Sequence, residues 1–131
     1  MARFVLDTSA ILALRSDERG AARVDTIVRA ARAPRTQVMA SFMTRMEILY
    51  RIEASEGAEE ALSAVRLLDA TGLRWVGCEP EILVAAARIK ASGGLSVADA
   101  WIAATALVER ATLVHKDPEF RRVREVSQEM L

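Results

Sequence analysis

At 131 residues, with 52% hydrophobic and 27% charged side chains, the chain has the size of one domain and the apolar content for one substantial core. Its 18 basic and 18 acidic residues cancel, which excludes the global basic field of a protein that coats long nucleic acid. The apolar runs are too short to cross a bilayer, so no membrane partner is expected, and the lone Cys78 with the lone His115 excludes an internal disulfide and a Cys/His zinc site, which suits a reducing cytoplasm.

The chain opens on MARFVLDTSAILAL, where an apolar stretch broken by Asp7 reads as a first strand, RFVLD, and not as a leader. Thr8, Ser9 and the helical run AILALRS follow, so Asp7 stands at a strand-to-helix junction. Residues 20–33 read as a second helix, with Ala22, Val24, Ile27, Val28 and Ala31 on its apolar face and Pro34 ending it. TQVMA is a short strand. Residues 41–55 carry Phe42, Met43, Met46, Ile48, Leu49 and Ile52 at helical spacing, with Glu47 inside the first two turns, and a further helix covers 58–70.

Beyond the TG pair at 71–72, LRWVGC is a short β run. Pro80 then suits the first turn of a helix that reaches residue 91 and is closed by SGGL. Ser96 is a good N-cap with Asp99 three residues later, and the ladder Ala100, Ile102, Ala103, Ala106, Leu107 extends that helix to about residue 110. ATLVH is a strand ending beside Asp117, Pro118 starts a helical turn through Arg122, and EVSQEML is either a last strand or a loosely held end.

Strands alternating with helices imply an α/β fold in which four to five mostly parallel strands are covered on both faces, with residues 1–131 as a single domain. Such sheets bind ligands beyond the carboxyl ends of their strands, and Asp7 and Asp117 both follow strands at that edge. Glu47 near the start of one helix and Asp99 in the first turn of another can face the same cleft. Carboxylates gathered this way raise one another's pKa unless a cation neutralises them, and a hard divalent ion, magnesium or manganese, suits oxygen ligands. Such ions hold a phosphodiester and activate water for in-line attack, so the chemistry indicated is hydrolysis of a nucleic-acid backbone.

Each acid also has an ordinary reading. Asp7 can simply cap the following helix, Glu47 can face solvent, Asp99 can be a favourable charge at a helix N-terminus, and Asp117 before Pro118 can belong to a turn. The stretch 15–51 holds Arg15, Arg19, Arg23, Arg29, Arg32, Arg35, Arg45 and Arg51 against four acids, which is either a local basic rim for phosphates or a set of separate solvated positions.

The segments VLDTSAILAL, TRMEILYR, LSVADAWIAATAL and LVHKDPEF resemble, in order and spacing, the four acidic motifs of PIN domains, with the bacterial VapC toxin branch nearest. The resemblance covers nearly the whole chain. It implies a PIN-like three-layer α/β/α fold and a magnesium- or manganese-dependent endoribonuclease. Asp7, Glu47, Asp99 and Asp117 match the four acidic positions as metal-binding and catalytic residues. It further implies RNA as substrate, a cognate antitoxin as partner and a homodimer as the assembly. Thr8 and Ser9 match the hydroxyl positions after the first acid, with Ser9 the stronger candidate for orienting a carboxylate or water. Ser96 is first of all a helix cap. The chain departs from the pattern at His115, where many relatives have Thr or Ser; a contact to phosphate or carboxylate and a plain strand-end role both stand open.

Three other functions compete. A receiver-type phosphoryl-transfer domain needs paired acids after its first strand, and only Asp7 is there. A haloacid-dehalogenase-type phosphatase needs a second aspartate where Ser9 stands. A catalytically silent PIN-fold scaffold for RNA or protein would have lost an acid, and none is missing. Among residues 41–70, Met43, Met46, Leu49, Ile52, Leu62, Val65 and Leu68 exceed what one small sheet is expected to cover, leaving material for a groove or a dimer face.

Overall fold

A computed structural model describes residues 1–131. Five strands, β1 (Ala2–Leu6), β2 (Thr36–Ser41), β3 (Arg74–Val76), β4 (Thr112–His115) and β5 (Gln128–Met130), form one parallel sheet in the order β3-β2-β1-β4-β5. The six helices are α1 (Thr8–Arg15), α2 (Ala21–Arg29), α3 (Phe42–Glu56), α4 (Ala58–Asp69), α5 (Pro80–Ala91) and α6 (Val97–Val108). The central strands alternate between two buried faces, as strands of a doubly covered sheet must. Val5, Met39 and Leu113 point into one core with Ile82, Ile102 and Phe120. Leu6, Val38, Ala40 and Val114 point into the other with Ile11, Ile27, Ile48 and Val65. The first core lies under α5 and α6 and the second under α1 to α4, which gives the three-layer α/β/α arrangement.

The tail is a strand and not a loose end, because β5 pairs with β4 in parallel register, Val114 opposite Glu129. One helix end differs from the sequence reading. The helix expected over 20–33 stops at Arg29 and tightens into a 3-10 turn at Ala30–Arg32, because Pro34 pushes Ala33 into an extended conformation (ψ 142°). The helices that contain Leu14 and Leu107 each close by a left-handed residue that is not glycine. Asp17 (φ 51°) and Arg110 (φ 54°) turn the chain so that Glu18 N–H reaches Ala13 O and Ala111 N–H reaches Ala106 O, the pattern of a Schellman cap. No helix is long and apolar enough to cross a membrane.

Candidate active site

Strand register brings the acids together. Val5 lies opposite Met39 and Leu6 opposite Val114, so the chain leaves β1, β2 and β4 at nearly the same level of the sheet. Asp7, α3 and the Asp117 turn therefore start from one edge, with Asp7 N–H still bonded to Val114 O at 3.0 Å. Asp7 and Ser41 cap their helices by accepting from Ser9 N–H and Met43 N–H, each at 3.1 Å.

Asp7 is 4% exposed and is the most enclosed of the four acids. Ser9 Oγ donates to the same Asp7 Oδ2 and accepts from Lys116 N–H at 3.0 Å, so one hydroxyl ties the first acid to the end of β4. Burial raises the Asp7 carboxyl above its usual range, the Ser9 hydrogen bonds oppose that rise, and the Glu47 charge adds to it. Thr8 has a role as definite as that of Ser9. Its Oγ1, buried beside Thr44, donates to Glu47 Oε1 at 2.7 Å and fixes the second acid on α3. Sequence reasoning ranked Ser9 above Thr8 because only contact across 39 residues gives Thr8 its partner.

Asp99 lies in the first turn of α6, where Ser96 Oγ accepts its backbone N–H at 3.1 Å, so Ser96 acts as the cap it was expected to be. Burial, then the charges of Asp7, Asp117 and Glu47, push Asp99 up to about 6, against the Ser96 hydroxyl, which lowers it. Those contributions put Asp7, Glu47 and Asp117 within electrostatic reach of Asp99. Carboxylate oxygens of Asp99, Asp117 and Glu119 lie within 4.8 Å of each other. Glu119 was not anticipated; its only signal was the D-P-E turn, in which Asp117 Oδ1 accepts Glu119 N–H at 2.9 Å and folds the side chains back together.

The donor set fits a hard divalent cation. It offers carboxylate oxygens only, and oxygens around magnesium stand roughly 3 to 4.2 Å apart, within the 4.8 Å limit of the cluster. No basic side chain pairs with Asp7, Glu47, Asp99 or Asp117. Lys116, next to the fourth acid, turns away to Glu18 at 3.4 Å. Six of the eight arginines of 15–51 have acceptors of their own. Arg15, Arg23, Arg29 and Arg45 pair with Glu56, Glu129, Asp25 and Asp69, and Arg19 and Arg32 donate to the carbonyls of Leu131 and Ala70. These are separate surface contacts, each with its own acceptor.

Of the apolar residues between 41 and 70, Ile52, Val65 and Leu68 are core, while Met46 and Leu62 are about half exposed. Between α1, α2, α3 and α4 runs a groove of about 300 Å³ lined by Ile11, Leu12, Leu14, Ile52 and Leu67.

A parallel sheet with carboxylates gathered beyond the carboxyl ends of its strands, and no basic side chain paired with them, defines an α/β protein with an acidic cluster that could hold a metal ion. The PIN domain family model matches residues 4–126, and the chain belongs to that family. Its fold is similar to that of the DNA-bound VapBC of Salmonella typhimurium, at 20% identity over 99% of this chain and 98% of that one, with a TM-score of 0.79. VapBC-1 of nontypeable Haemophilus influenzae is similar at 22% identity, covering 98% and 97%, with a TM-score of 0.77. VapC20 of Mycobacterium tuberculosis, a toxin that cleaves the sarcin-ricin loop, is similar at 16% identity, covering 92% and 94%, with a TM-score of 0.70. At these identities the likeness is one of fold. No curated protein matches the chain in sequence.

Proposed function

We propose that this chain is a divalent-metal-dependent endoribonuclease, the toxin of a toxin–antitoxin pair, with residues 1–131 acting as a single PIN domain. The observation that supports the reading is geometric: carboxylate oxygens of Asp99, Asp117 and Glu119 lie within 4.8 Å of one another at the sheet edge from which Asp7 and α3, the helix of Glu47, also start. In this reading Asp7, Glu47, Asp99 and Asp117 are the metal-binding and catalytic residues, and Glu119 joins them through the Asp117 turn. Bound there, magnesium or manganese would hold the phosphodiester and supply an activated water. Ser9 and Thr8 would restrain Asp7 and Glu47 on the side of the cluster nearest the sheet. Asp99 gives up its proton readily once a cation offsets its neighbours.

The partners belong to the same proposal. A cognate antitoxin is supported by the VapBC assemblies that share the fold, and the apolar groove beside α1 and α4 offers it a seat. A homodimer finds apolar surface on α5 and α6, where Leu83, Val84 and Val97 are about half exposed. The exposed thiol of Cys78 suits a reducing cytoplasm.

Purified protein incubated with cellular RNA tests the reading. Discrete cuts are expected with Mg²⁺ or Mn²⁺, none with chelator, and a loss of at least a thousandfold, about 4 kcal/mol in barrier, in Asp7→Asn and Asp99→Asn. Intact RNA under every condition would leave a catalytically silent PIN-fold scaffold.

A further inference from the structure

His115 ends β4 with no exposed surface, two residues before Asp117. Asp117 donates its backbone N–H to His115 Nδ1 at 3.1 Å. Because Nδ1 accepts, the proton of the neutral ring is on Nε2, and Nε2 lies 2.9 Å from Gln128 Oε1 on β5. The orientation of Gln128 is fixed in turn, since its amide NH₂ donates to Phe120 O at 2.8 Å and to Val123 O at 2.9 Å, leaving only the oxygen to face the ring. The Phe120 ring packs edge-on against the imidazole at 4.9 Å. With both nitrogens engaged and the side chain enclosed, His115 has no means of touching a phosphate.

The contact has the form of an Asx turn, in which a side-chain acceptor holds the backbone N–H two residues on, here with a ring nitrogen in place of a carboxamide oxygen. It is the first link of a short chain. His115 holds the Asp117 amide, and Asp117 Oδ1 holds the Glu119 amide, which together set the turn that brings both carboxylates to Asp99. We propose that His115, oriented by Gln128, is a positioning residue for Asp117, so that the last strand of the sheet supports the metal-binding cluster without contributing a ligand to it. The inference rests on the metal-site reading above. Without the ring acceptor the part-buried Asp117 N–H loses its partner and the turn its anchor, and the cluster holds a cation less tightly.

The test measures Mn²⁺ binding to the full chain by the electron paramagnetic resonance signal of the free ion, alongside the circular dichroism of each variant. Wild type should bind, and His115→Asn, which restores an acceptor to the same amide, should bind nearly as well. His115→Leu, which has no acceptor, should bind roughly ten- to a hundredfold more weakly while keeping a native spectrum, and Gln128→Met should weaken binding in the same direction. Equal affinity in wild type and His115→Leu overturns the proposal, as does an Asn variant no better than the Leu one. Should His115→Leu fail to fold, the Gln128→Met result and the ring ¹⁵N shifts of wild type at neutral pH decide. An Nε2–H tautomer is expected there, and an Nδ1–H tautomer overturns the proposal. Wild type that binds no Mn²⁺ would bring down the metal-site reading as well, whereas wild-type binding with unchanged variants would bring down the positioning role alone.

Discussion

The two ends of the sheet treat their charges in opposite ways. At the end where strands begin, Arg3 of β1 pairs with Glu109 at 2.9 Å, Arg74 of β3 reaches the same carboxylate at 3.1 Å, and Arg3 also donates to Gln37 of β2 at 2.6 Å. One acid shared by two guanidiniums bridges β1 to β3 over the intervening strand, and Arg3 Nε closes the network on Glu109 O at 2.8 Å. At the end where strands finish, acids meet acids, and the groups that restrain them are hydroxyls and backbone amides instead of cations. The first end contributes stability. The second gathers like charges, which is the arrangement expected of a site kept for function.

Substitutions should separate the two ends. The largest contrast is expected from Asp99→Asn, which removes the cleavage activity yet leaves the metal-free protein as stable as wild type or more so at pH 7, because a repelled charge has gone; chemical denaturation beside the RNA assay checks both halves. Thr8→Val comes next. It keeps the shape but removes the proton given to Glu47, and cleavage should fall roughly ten- to a hundredfold with a smaller change in stability. Glu109→Ala should do the reverse, lowering stability by about 1–2 kcal/mol through the loss of two partners for part-buried charge while the cleavage rate per folded molecule is unchanged. A shift in the urea midpoint at constant slope would register it.

The pH dependence sharpens the same comparison. Asp99 titrates near 3.8 in the unfolded chain and at about 6 in the folded one, so between those values the folded state holds a proton that the unfolded state has released. Stability without metal should therefore fall as pH rises through that window, by on the order of 1–2 kcal/mol once solvent screening of a half-buried group is allowed for. Asp99→Asn should flatten this part of the profile. A slope equally steep in the variant would assign the effect to other groups.

Much of this architecture was legible because short apolar runs and caps punctuate the chain. Pro80 and Ser96 mark the starts of α5 and α6, and TQVMA and ATLVH are bounded well enough to place β2 and β4. Asp7, Asp99 and Asp117 stood out for the same reason, each at or just past a recognisable junction. Other features left little trace. Asp17 and Arg110 end helices in left-handed conformations that sequence normally signals with glycine. Glu119 is an exposed acid in a turn, and only the folded turn sets its carboxylate beside Asp99 and Asp117. Thr8, His115 and Gln128 acquire their roles from partners on other elements, and Arg23 and Arg45 pair with Glu129 and Asp69, acceptors distant in the chain.

The central claim, that the acids at the carboxyl edge are held together for a divalent cation, is most directly tested by thermal melts of wild type and Asp99→Asn at pH 7, with and without MnCl₂. The account predicts a higher midpoint for wild type in Mn²⁺, worth about 2.7 kcal/mol at a hundredfold excess over Kd, and little or no shift for the variant. Superimposable wild-type melts with and without Mn²⁺ would contradict it.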